Sequence, residues 1–129
     1  MISSPRLRGL VVLAAERAAR REAQVCCLSA AGLSVLDVIS TDEVLSALES
    51  RSDVCVLVVE PQMPGCFSGL GLARFVSKRW PEVAILISGW PTEPVLALGA
   101  GITFLPDNCL PTQVLEAVQA RAAMPSAPV

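Results

Sequence analysis

Short apolar runs recur along the chain, separated by stretches whose polar and apolar residues alternate at helical spacing. GLVVLAA (9–15) and DVCVLVVE (53–60) are apolar without a polar face, the pattern of strands buried on both sides. LSVLDVI (33–39), VAILISG (83–89) and ITFLP (102–106) read as further strands. Between the first two lies ERAARREAQVCCLSAAG (16–32), a predicted helix ending at Gly32. Its small residues Ala19, Ala23, Cys26 and Ala30 share one face and predict a close packing surface. STDE (40–43) has the form of a capping box, with Ser40 and Glu43 satisfying each other's amides, and predicts a helix to about Ser50.

The loop PQMPGCFSG (61–69) leads to a helix over 70–80, with Leu72, Phe75, Val76 and Trp80 inward and Pro81 ending it. WPTEPVLALGAG (90–101) has room for one short helix, and Trp90 would sit over the end of the fourth strand. The last helix is expected over 111–123, with Pro111 in its first turn and Val114, Leu115 and Val118 inward. Residues 123–129 read as a frayed tail. Strand and helix alternate five times. Such alternation predicts an α/β domain, a parallel sheet with helices on both faces. Ligands of such sheets bind beyond the carboxyl ends of the strands. Glu16, Glu60, Ser88 and Asp107 all fall at those ends.

Composition narrows the chemistry. The 129 residues suit a single domain, with an ordered core from about 7 to 122. The chain is 53% hydrophobic and 17% charged, with a net charge of −2, so no nucleic-acid footprint is expected. No apolar stretch reaches the length of a membrane helix, and the short run after Arg8 reads as a first strand and not as a signal peptide. The sequence has no His, which excludes imidazole catalysis and Cys/His zinc ligation within it. Its five cysteines, without a CxxC, read as small, buried, reduced thiols of a cytoplasmic protein, with Cys66 or Cys109 as the alternative seat of a thiol-based redox sensor. Gly69 and Gly71 form a GxG that starts a helix and is not a nucleotide fingerprint.

The order of elements and three segments together resemble the receiver domain of bacterial response regulators. The segments are MPGCFSGLGLARFVSKRWPEVAILISG, AAGLSVLDVISTDEVLSALES and GAGITFLPDN, and the likeness runs from about residue 7 to 122. The resemblance implies a flavodoxin-like, doubly wound five-stranded sheet in the order 2-1-3-4-5. It also implies a set of site positions. Glu60 stands where the family has its phosphoacceptor Asp, and Ala15 and Glu16 stand where it has the acid pair that holds Mg²⁺. Ser88 matches the hydroxyl that contacts the phosphoryl group, Asp107 the paired Lys, and Phe104 the aromatic switch.

Only part of that chemistry is retained. Phosphoryl transfer needs an in-line nucleophile and cations on the equatorial oxygens. Glu60 is one methylene longer than Asp, and a displacement of that scale costs on the order of 100-fold in rate. Ala15 removes one acid and Asp107 reverses a charge. No bound cofactor and no enzymatic activity are therefore expected. Glu16 and Glu60 are the alternative ligands if crowded carboxylates recruit a Mg²⁺ ion. Three roles stay open for Glu60: mimic of a phosphorylated Asp, relic of a dead site, or strand-end acid paired with an arginine such as Arg17. For Ser88 and Phe104, bonding to nearby backbone and core packing are the plain alternatives.

The resemblance implies an atypical receiver in two-component signalling, acting by protein–protein contact, either alone or as part of a larger protein. A histidine kinase or an output protein would meet the face of the fourth helix, fifth strand and fifth helix. A homodimer through that face fits as well, and neither nucleic acid nor membrane is expected as a partner.

Overall fold

A computed structural model describes residues 9–66, 68–89, 102–106 and 109–123. The elements in chain order are β1 (Leu10–Ala14), α1 (Ala18–Ala30), β2 (Ser34–Val38), α2 (Thr41–Ser50) and β3 (Val54–Val59). They are followed by α3 (Gly69–Arg79), β4 (Ala84–Ser88), β5 (Ile102–Leu105) and α4 (Pro111–Ala123). All pairings are parallel, and the sheet order is β2-β1-β3-β4-β5. This is the expected flavodoxin-like arrangement. The helix expected within 90–101, Trp90, Asp107 and most of the tail lie outside the described residues.

Alternate residues of the central strands feed two cores, one on each face of the sheet. Leu10, Val12, Leu57, Val59, Ile85 and Ile87 point to the face covered by α2 and α3, where Val44, Leu48, Leu72 and Val76 are buried. Val11, Leu13, Val56, Val58 and Leu86 point to the other, covered by Leu28 of α1 and by Val114 and Val118 of α4. Burial of each such side chain contributes about 1.5–3 kcal/mol, so the strand ends rest on a rigid platform.

The helix starts follow local rules. Ser40 accepts a hydrogen bond from the Glu43 amide at 3.2 Å. The Glu43 carboxylate reaches back one residue further than expected, to the Ile39 amide at 2.8 Å. Ser68 caps α3 by accepting from the Gly71 amide at 3.1 Å. The last helix has half a capping box, in which the Leu110 amide donates to Gln113 Oε1 at 2.6 Å.

Two inward faces differ from the sequence expectation. In α1 the buried residues are Gln24 and Leu28, while Ala19, Ala23, Cys26 and Ala30 are all exposed. The helix is rotated so that a more polar stripe, Arg21, Gln24 and Leu28, meets the sheet and α4. In α3, Leu72 and Val76 are buried as expected, but Phe75 is exposed and Trp80 is only half-buried. Phe75 instead meets the Trp80 ring edge-on, 6.2 Å between centroids, and the Arg79 guanidinium lies 4.9 Å from that ring. The cysteines are free thiols, yet Cys26 and Cys66 are exposed rather than buried.

Candidate functional site

Register places the site. Val59 of β3 pairs with Ala14 of β1 and with Ile87 of β4. The next residue on each strand is therefore Glu60, Ala15 and Ser88, side by side at the carboxyl edge of the sheet. Ala15 and Ser88 are buried, at 1% and 4% exposure, and Ser88 pairs in register with Leu105 of β5. Phe104, one residue earlier on β5, is half-buried against the α2–α3 core.

The Glu60 carboxylate is engaged on both oxygens. Oε1 accepts a hydrogen bond from the Glu16 amide at 3.0 Å. Oε2 lies 3.6 Å from Arg20 Nε, with side-chain exposures of 16% for Glu60 and 28% for Arg20. That distance gives charge pairing without a hydrogen bond, and Arg20 Nε, itself buried, has no hydrogen-bond partner among the described residues. The partner is thus Arg20, in the first turn of α1, and not Arg17, which precedes the helix. Glu16 reaches Glu60 through its backbone, and its own side chain is exposed.

The first turn of α1 is held by the same cluster. Arg21 Nη1 donates to the carbonyls of Ala15 at 2.9 Å and Glu16 at 3.3 Å, and its Nε pairs with Asp37 of β2 at 3.5 Å. Arg17 at the N-cap offers no side-chain cap, and the first turn holds no acid. Cations at a helix N-terminus oppose the helix dipole. Here Arg20 and Arg21 find carboxylates and carbonyls instead. Local rules tend to fail at functional sites; sequence reasoning missed Arg20, and the one signal that could have drawn attention to this turn is the run of arginines in ERAARRE at an uncapped helix start.

The loop after Glu60 is fixed on two sides. The Gly69 amide donates to Pro61 O at 3.0 Å, and a β-carbon at Gly69 would overlap the Glu60 carbonyl. Thr41, fully buried, donates its amide to Pro64 O at 3.0 Å. Gly65 has φ 126° and lies against Thr41, so both its backbone and its surroundings demand glycine. The Cys66 amide donates to Asp42 Oδ1 at 3.4 Å. Hydrogen bonding to the Asp42 carboxylate, and then its charge, push the exposed Cys66 thiol above its ordinary pKa.

Among the described residues no group of three His, Cys, Asp or Glu side chains could hold a metal ion. Nor is any described helix long and apolar enough to cross a membrane. A groove of about 430 Å³ opens at the opposite end of the sheet, beside Arg51, Trp80 and Glu82, and includes none of the positions above.

No family model and no curated protein matches the sequence. Solved structures match the fold well. The signal receiver domain of an HD domain-containing protein from Pseudomonas fluorescens Pf-5 superposes with a TM-score of 0.78 at 15% identity, over 94% of this chain and 91% of that one. A CheY-like response regulator receiver domain from Methanospirillum hungatei gives 0.75 at 16% identity, over 88% and 93%. The chemotaxis response regulator CheY4 of Vibrio cholerae gives 0.74 at 20% identity, over 88% and 98%. The chain therefore has the CheY-like receiver fold along nearly its whole described length.

Proposed function

We propose that this chain is an atypical receiver module of two-component signalling, which acts by contact with a protein partner and not by accepting a phosphoryl group. One observation carries the proposal: Glu60, at the phosphoacceptor position, is already bound by the Glu16 amide and by Arg20. A nucleophile must lie in line with its leaving group. Glu60 is instead tied sideways to β1 and α1. The residues around it are also a poor fit for Mg²⁺. One acid position is Ala15, an arginine stands against the Glu60 carboxylate, and of the acid pair Glu16 alone is left. A divalent ion needs several oxygen ligands in near-octahedral geometry.

The relatives in structure are named as receivers and as a chemotaxis regulator, which supports a signalling partner, either a histidine kinase or an output protein. The expected face includes β5 and α4, and a second copy of the chain would use the same surface. A thiol-sensing role is disfavoured by the surroundings of the two loop cysteines. Asp42 raises the pKa of the Cys66 thiol, which lowers its thiolate fraction, and Cys109 is buried. The test is an amide-resonance titration with Mg²⁺ and beryllofluoride. Unmoved resonances at Ala15, Glu16, Glu60 and Ser88 are expected. Saturable shifts at those four would overturn the proposal.

A further inference from the structure

Arg20 touches two separate parts of the molecule. Its Nε faces Glu60 at the end of β3, and its Nη2 donates to the Cys109 sulfur at 3.8 Å. Cys109 lies in the turn between β5 and α4, at 8% exposure, and packs in the core that holds Val114 and Val118. Its amide donates to Pro106 O at 3.3 Å, and the next residue, Leu110, immediately precedes α4. A single planar guanidinium thus spans from the phosphoacceptor position to the start of the last helix. A lysine has one compact head group and could not serve both ends.

We infer that Arg20 is the resident counter-ion of this site and a clamp on the β5–α4 turn. It supplies the positive charge that Glu60 faces, which leaves a divalent cation without a place there. Through Cys109 it also fixes the chain just before α4, where Leu110 is 61% exposed. The inference rests on the proposal that the domain works without phosphoryl chemistry, and it adds the positioning residue that holds the domain in one shape. The helix dipole argues the same way: arginine in the uncapped first turn of α1 is locally unfavourable, and the contacts to Glu60 and Cys109 compensate.

The test compares wild type with Arg20→Met, Arg20→Lys and Cys109→Ala, each checked for native circular dichroism. Two properties are read: hydrogen exchange at the amides of Cys109 and Val114, and line broadening by Mn²⁺ at Glu16 and Glu60. In Arg20→Met, exchange at Cys109 is expected to rise at least about tenfold over wild type, and Mn²⁺ broadening is expected to appear. Arg20→Lys keeps the charge and should still exclude Mn²⁺, but it should lose protection at Cys109. Cys109→Ala should lose protection without gaining Mn²⁺. Arg20→Met with wild-type exchange and no broadening overturns the inference. So does an equal loss of protection across the whole domain in both Arg20 variants, which would make Arg20 a general structural part. Phosphoryl labelling of wild type by acetyl phosphate, with Arg20→Met behaving as expected, would overturn the proposed function and leave the clamp standing.

Discussion

The Glu16 amide and the Glu60 carboxylate meet at 3.0 Å across the ends of β1 and β3, and Arg20 closes on the other oxygen at 3.6 Å. The two contacts differ in kind. The amide needs an acceptor, whereas the guanidinium needs a charge. Glu60→Gln keeps an acceptor for Glu16 but leaves Arg20 half-buried without a counter-charge. Its expected cost is about 1–2 kcal/mol, between an exposed pair and a fully buried one. Glu60→Ala removes both partners and should cost more. Urea unfolding at neutral pH measures both. Equal stability of wild type and Glu60→Gln would mean that the ion pair contributes nothing.

Gly69 starts α3 directly beneath the Glu60 carbonyl. A β-carbon there collides with main chain, which cannot swing aside as a side chain can. Gly69→Ala therefore has to move either the start of α3 or the end of β3. The expected cost is about 1–3 kcal/mol, the usual range for overpacking, although alanine is the better helix former. A melting temperature at or above that of wild type would contradict the close approach.

Cys66 and Asp42 give a prediction in pH. The Asp42 carboxylate hydrogen-bonds the thiol and repels its thiolate, so the Cys66 pKa is raised. A raised pKa means less thiolate at any pH below it, and the thiolate is the species that reacts. Cys66 should therefore alkylate more slowly with iodoacetamide near pH 8 than an unstructured thiol does. Asp42→Asn should speed the reaction at Cys66 and leave exposed Cys26 unaffected. Faster alkylation of Cys66 in wild type than in Asp42→Asn would reverse the sign and reopen a redox role.

Much of this architecture is legible in the sequence because burial on both faces leaves an unmistakable pattern. VLVV before Glu60 and ILIS up to Ser88 are apolar without alternation, short, and rich in β-branched residues, which suits central parallel strands. Once those ends are placed, Glu60, Ala15 and Ser88 follow as neighbours from strand register alone. The phase of α1 did not follow. Ala19, Ala23, Cys26 and Ala30 have helical spacing, but small side chains add little burial, and the side that packs carries Arg21, Gln24 and Leu28. The same rotation decides which arginine meets Glu60. Arg17 and Arg20 are equivalent by composition, and only the helix start at Ala18 puts Arg20 in the first turn and Arg17 at the N-cap. Phe75 shows a similar limit. Its spacing suits the core, but it lies exposed, with its ring in edge-on contact with Trp80.

Glu60 of this receiver fold is proposed to carry no phosphoryl chemistry. Incubation of the wild-type protein with acetyl phosphate and Mg²⁺, followed by intact-mass measurement, tests it most directly. An unchanged mass is expected over the time in which a competent receiver domain run beside it becomes labelled. A gain of one phosphoryl group, lost in Glu60→Gln, would contradict the claim.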